Sequence, residues 1–206
     1  MVTNTASTKK NIAALFAIIL WFAVVAQFYL IIVNRTASIA ETILNFFSFF
    51  TVLTNGFAAI YFTSQALGKP GFSKPGILTA ITVYITIVGM VYQVLLRHTW
   101  QPTGFQKVVD ELLHSVDPLL VIIYWYFFEI KKQVAYRQIP GWLIYPLAYL
   151  IFIMIRGVLT NTYPYPFIDV AEIGLGRSIF NAVLLLAFFY AISCAFIFAG
   201  RLISKK

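Results

Sequence analysis

Six apolar runs alternate along this chain with short stretches of glycine, proline and charge, and they cover residues 11–33, 42–67, 77–96, 108–128, 142–159 and 179–203. A hydrocarbon core of about 30 Å needs roughly 20 residues of helix at 1.5 Å per residue. Backbone groups in lipid must be satisfied within the segment, so helix is the conformation open to each run. The connectors carry the residues that end helices: residues 68–76 with two prolines, Pro102 to Gly104, Pro140 with Gly141, and the proline-rich 163–167. The pattern predicts an all-α, polytopic membrane protein, with a six-transmembrane-helix bundle as a single transmembrane domain over residues 1–206. The first run follows Lys9 and Lys10 as a signal peptide would. It is too long for an h-region and lacks a small-residue cleavage site, so it reads as a retained signal anchor.

Composition narrows this further. The chain is 61% hydrophobic and 11% charged, against about a quarter charged in soluble domains, which leaves no room for a separate soluble domain. The net charge of +8 is spread over loops and ends, so it forms no basic face and excludes nucleic acid as a partner. Ten cations fall on the N-terminal side of the bilayer, Lys9, Lys10, Lys69, Lys74, Lys131, Lys132, Arg137, Arg201, Lys205 and Lys206, against four opposite, Arg35, Arg97, Lys107 and Arg177. That asymmetry predicts both termini in the cytoplasm, N-in and C-in, in a multi-pass protein of the cell membrane. The single cysteine, Cys194, lies in an apolar run, and the histidines are His98 and His114. Neither a disulfide framework nor a zinc site can be built from these, and no metal or other cofactor is expected. Bundle cytochromes need paired axial ligands, and His98 falls in a connector.

Polar residues inside the runs carry the most information, because hydrocarbon penalises them unless they face the bundle interior or a wet cavity. In the second run Asn45, Ser48, Thr51 or Val52, and Asn55 recur at helical spacing, Glu41 begins the same stripe, and Thr51 with Asn55 is an i, i+4 pair. In the fourth, Lys107, Asp110 or Glu111, His114 and Asp117 recur likewise, so His114 stands one turn from a carboxylate on either side. The third run adds Thr82, Thr86, Gln93 and Arg97, the fifth Arg156, and the sixth opens with Arg177, Ser178 and Asn181. Nearly all of these belong to the outer half. Thr51 lies eight residues below Ile43 and His114 six below Val108, a depth of about 9–12 Å in each case, so the two side chains are candidates to meet across the bundle. Plain packing roles compete with functional ones. A membrane threonine ordinarily back-bonds to its own helix or joins helices. Arg156 can snorkel, or pair with Asp117 or Asp169. Asp117 before Pro118 reads as a kink partner, and Ala187, Ala191, Ala195 and Ala199 read as a small-residue packing ridge.

Several stretches are recognisable together: Asn45-Phe-Phe-Ser-Phe-Phe-Thr51-Val-Leu-Thr54-Asn55, His114-Ser-Val-Asp-Pro118, Tyr145-Pro-Leu-Ala-Tyr149, and Arg156-Gly157 followed by Tyr163-Pro-Tyr-Pro-Phe167. Over the second to fifth runs the chain resembles the bacterial six-helix branch of the androgen-induced-gene / androgen-dependent TFPI-regulating protein family. Animal members are multi-pass hydrolases that split fatty acid esters of hydroxy fatty acids with a threonine nucleophile and a histidine. The resemblance implies Thr51 as the nucleophile, a better match than Thr54, with His114 ahead of Pro118 as the histidine and Arg156 as the arginine of the fifth helix.

The chemistry of the residues agrees in kind. A threonine hydroxyl is a weak nucleophile that needs a general base, and His114 is the intramembrane candidate. Asp110 or Asp117 would orient its ring. Amide donors of Asn55 or Asn181 would serve a developing oxyanion. Arg156 would bind the free carboxylate of an amphipathic substrate. The expected activity is therefore hydrolysis of lipid esters within the membrane, with a lipid as substrate. The alternative is a non-catalytic carrier or binder of an anionic lipid or small acid, using the same polar cavity.

Overall fold

The computed structural model describes residues 2–204; Met1, Lys205 and Lys206 lie outside the described residues. The described chain is 83% helical and holds no strand. Its contacts divide it into two compact units, one up to Val134 and one from Ala135 onward.

In the first unit, helix α1 (Val2–Val33) is followed by α2 (Ile39–Phe46), α3 (Phe50–Ala66) and α4 (Ile77–Val91), the last continued by a π-helical turn, Tyr92–Leu96. After a connector come α5 (Gly104–Glu111), a second π-helical turn, Leu112–Val116, and α6 (Asp117–Phe128). The second unit contains α7 (Ile139–Thr160), the short α8 (Val170–Ile173) and α9 (Leu175–Ile203). Four stretches are long and apolar enough to cross a membrane: Ser7–Val33, Ile77–Leu96, Tyr136–Thr160 and Leu175–Ile203. The number is five if α2 and α3, bent by 70° at their junction, form one broken span. This is consistent with a multi-pass membrane protein.

The structure departs from six uniform spans in two places, and both carry functional candidates. The second apolar run breaks at residues 47–49, where Phe49 adopts an extended backbone (φ −87°, ψ 122°). Ser38 caps the start of α2 by accepting from the Glu41 amide, and just past its end Ser48 donates its hydroxyl to the Leu44 carbonyl at 2.6 Å. The fourth run becomes α5, a π turn and α6, none of which is individually long enough to span.

Lipid tails solvate apolar side chains as well as a protein interior does, so close packing and polar bonds hold such helices together. In the first unit α1 packs on α3, α3 on α4 and α4 on α6. Phe16 of α1, Phe62 of α3 and Tyr124 of α6 meet in one buried aromatic cluster, with ring centroids 4.8–6.1 Å apart. Such pairs contribute about 0.5–1.5 kcal/mol each beyond contact area. A second buried cluster joins Ala23 and Leu30 to Phe46, Val52, Val109 and Leu113, and so flanks Thr51 and His114 with apolar neighbours. At one end of α4 the Glu129 carboxylate accepts from the Thr79 amide (2.9 Å) and hydroxyl (2.7 Å), while Trp125 donates to that hydroxyl at 3.0 Å. This carboxylate caps the N-terminus of α4 and ties it to the end of α6. Toward the other end Gly89 lets the helices close up, because a Cβ there would stand 3.1 Å from the His114 carbonyl oxygen and 3.4 Å from Pro118.

In the second unit Asn161 (φ 52°) ends α7 in the left-handed region. Gly157 leaves space that the Tyr163 ring occupies, and any Cβ there would overlap that ring. The buried face of α9 is Phe189, Ser193, Ile197 and Gly200, while Ala187, Ala191 and Ala195 are exposed. The expected alanine ridge is therefore not the face that α9 buries, because the neighbouring row at the same four-residue spacing packs in its place.

Candidate functional site

Because α3 starts at Phe50, Thr51 stands in its first turn, where the Val52 and Leu53 amides donate to the Phe49 carbonyl at 3.1 and 3.2 Å. Asn55, one turn on and fully buried, donates through Nδ2 to the carbonyls of Thr51 (2.8 Å) and Leu113 (3.3 Å). One amide therefore ties the turn bearing Thr51 to the turn bearing His114. The depth assigned from an unbroken second span does not apply, since the chain bends two residues before Thr51. The two residues still meet, because α3 packs against the π turn of residues 112–116.

Within that turn the 117 amide bonds back to the Leu112 carbonyl, one residue further than in an α-helix, a distortion that often marks functional sites. His114 Nε2 lies 3.3 Å from Thr51 Oγ1. Its Nδ1 lies 2.9 Å from the Asp110 carbonyl oxygen and 3.2 Å from Asp110 Oδ1. Both are acceptors, so in the neutral imidazole Nδ1 carries the proton and Nε2 offers its lone pair to the Thr51 hydroxyl. The other oxygen of Asp110 accepts from the Tyr92 hydroxyl. The Tyr92 ring lies flat on the imidazole, 4.0 Å between centroids and 15° from parallel. Around this core Arg97 pairs with Glu111, and Ser115 donates to Glu111 at 2.7 Å. Gln93 donates to Ser115 at 2.9 Å and accepts from Arg97 at 2.6 Å.

The remaining sequence candidates fall elsewhere. Thr54 is buried one turn beyond Thr51. Asp117 is fully buried, and neither of its carboxylate oxygens has a partner among the described residues, nor do Asn55 Oδ1 and Thr86 Oγ1. Of the two acids considered for His114, the structure therefore brings Asp110 to the ring and not Asp117. Arg156 and Asn181 belong to the second unit. Arg156 Nη1 donates to the Thr162 carbonyl at 3.3 Å and Asn181 Nδ2 to the Phe167 carbonyl at 2.8 Å. Tyr92 was not singled out in the sequence, where it is one aromatic among many. The i, i+4 spacing of Asp110 and His114 was the available signal for that pair.

The arrangement can activate a hydroxyl: a base lone pair faces it, and the base's other nitrogen is held by acceptors. No group of three metal-ligating side chains gathers among the described residues. Comparison with protein-family models, curated proteins and solved structures finds no match to this chain.

Proposed function

We propose that this protein is an intramembrane hydrolase of lipid esters, fatty acid esters of hydroxy fatty acids among them, with Thr51 as nucleophile and His114 as general base. The observation that carries the reading is the 3.3 Å approach of Thr51 Oγ1 to His114 Nε2, with Nδ1 engaged on the far side of the ring. With it we propose membership of the androgen-induced-gene / androgen-dependent TFPI-regulating protein family, on the motifs quoted above. The topology proposed is six crossings of the cell membrane with both termini cytoplasmic, α5 and α6 forming one crossing through their π turn.

The reaction runs in two halves. Thr51 Oγ adds to the ester carbonyl carbon while its proton passes to His114 Nε2. The negative charge reaches the carbonyl oxygen, where hydrogen-bond donors of the site would stabilise it. Collapse breaks the carbon–alkoxy bond, and the leaving oxygen takes the proton from Nε2, releasing the alcohol and leaving acyl-Thr51. Water then adds to the acyl carbon, again giving its proton to Nε2. The second collapse expels Thr51 Oγ, which regains that proton, and the fatty acid leaves.

A fluorophosphonate probe tests this. It is expected to label the purified wild-type protein and to leave Thr51→Ala and His114→Ala unlabelled. Equal labelling of all three, or none of the wild type alongside no turnover of long-chain esters, overturns the reading. The second reading, a carrier or binder of an anionic lipid or small acid, draws on Asp117, a buried acid without a partner in the described chain, since such acids mark proton and ion pathways. It predicts an unlabelled protein that binds fatty acid saturably.

A further inference from the structure

A threonine–histidine pair needs two side chains, yet His114 is held on two further sides. The Asp110 backbone carbonyl, 2.9 Å from Nδ1, favours a proton on that nitrogen. The carboxylate beside it, with Oδ1 3.2 Å from Nδ1, adds something the carbonyl lacks, a full negative charge where positive charge develops when Nε2 takes a proton. Away from water that charge acts strongly, but it is also costly to bury unless its lone pairs are satisfied. Tyr92 answers that cost by donating its phenol to the second carboxylate oxygen. The same side chain covers the imidazole face at 4.0 Å, so the ring cannot turn about its own axis without displacing Tyr92. Glu111, the neighbouring acid on α5, is occupied by Arg97 and Ser115, and Asp117 does not reach the ring, which leaves Asp110 as the carboxylate of this site. Two features set the geometry. Gly89 brings α4 against the His114 carbonyl, and Tyr92 opens the π turn three residues further on.

We propose that Asp110 and Tyr92 are the positioning residues of His114, Asp110 through Nδ1 and Tyr92 through both the carboxylate and the face of the ring. The kinetic half of this proposal rests on the hydrolase reading; the structural half does not. Removing the Tyr92 hydroxyl leaves the stack but frees Asp110, while Asp110→Asn keeps shape and removes charge.

The experiment uses full-length protein in detergent, labelled with ¹⁵N-histidine, whose two histidines are separated by a His98→Gln variant. Turnover of a fluorogenic long-chain ester is followed alongside. Wild type is expected to show His114 protonated at Nδ1. In Tyr92→Phe the ring nitrogens shift toward an average of the two tautomers, and kcat falls about tenfold with KM within about twofold. In Asp110→Asn the shift is larger and kcat falls about a hundredfold, with Asp110→Glu recovering part of it. Wild-type nitrogen shifts in both Tyr92→Phe and Asp110→Asn overturn the proposal, whether or not kcat falls, because a loss with an unchanged ring is that of a helix tie. If the wild type cleaves no ester, the hydrolase reading fails, and the nitrogen shifts alone decide whether these residues hold His114.

Discussion

Gly89 and His114 meet backbone to backbone: a methyl group on Gly89 would sit 3.1 Å from the His114 carbonyl oxygen. A helix-interior glycine normally costs about 1 kcal/mol relative to alanine, and here it stands where α4 must approach the turn that aims the imidazole. Overpacking typically costs about 1–3 kcal/mol. Gly89→Val is therefore expected to lower the melting temperature and to reduce ester turnover more than tenfold by displacing His114 from Thr51. A variant with wild-type turnover would show that the π turn moves aside without losing its aim.

The Thr51–His114 pair is expected to behave as a unit. Thr51→Ala and His114→Ala should each abolish turnover, and the double variant should be no worse than either, because removing one member already removes the function of the other. Thr54→Ala should remain active. Its inactivity alongside an active Thr51→Ala would move the nucleophile by one helical turn. Kinetics on all four proteins, with elution profiles as a check on folding, decide the matter.

Asn55 offers a test of the scaffold apart from the chemistry. Its Nδ2 bonds the carbonyls of both Thr51 and Leu113, and leaving a buried polar group unsatisfied costs about 1–3 kcal/mol. Asn55→Leu should therefore lower the melting temperature by several degrees and weaken turnover through a slackened Thr51–His114 approach. Unchanged melting would mean that the α3 ladder and the apolar cluster around Val52 and Leu113 suffice to hold the two turns together.

Helical class and apolar spans were legible because the bilayer leaves no other backbone solution, and a run of about 20 apolar residues says so without reference to packing. The stripe of Thr51 and Asn55, and that of His114 with Asp110, were legible as costly polar residues at helical spacing. The bend at residues 47–49 was not, since no proline or glycine marks it and Ser48 there reads like any hydroxyl that back-bonds within a continuous helix. Nor was the role of Tyr92, because the chain holds 12 tyrosines and only the close approach at Gly89 and the added residue of the π turn decide which one covers the imidazole.

Topology is open to direct measurement. Reporter fusions at the N-terminus and after Ser204 are both expected to report cytoplasm, following the ten-to-four distribution of cations. Reversing that balance, by placing lysines in the connector at residues 34–38 and replacing Lys9 and Lys10, should invert the first span. A C-terminal fusion reporting the outside would mean an odd number of crossings, five being the count if the bent α2–α3 pair spans and residues 108–128 do not.

Glu129 gives the last prediction, since it separates stability from catalysis within the first unit. Its carboxylate accepts from the Thr79 amide and hydroxyl and approaches the Gly76 amide at 3.5 Å, so it serves as the missing acceptor for the first turn of α4 and opposes its positive end. Loss of a cap costs about 0.5–2 kcal/mol. Glu129→Gln retains one acceptor oxygen but no charge, and Glu129→Ala retains neither, so melting temperature should fall in the order wild type, Gln, Ala. Thr79 is 13 residues before Tyr92 on α4 and its continuing π turn, about 20 Å at 1.5 Å per residue, and the Gly89 contact lies between them. Turnover well below the melting transition should therefore be within about twofold of wild type in both variants, the cap adding stability and leaving the imidazole where it was. A large fall in kcat at low temperature, with melting unchanged, would instead show that the register of α4 against α6 is set at Glu129 and transmitted to Tyr92.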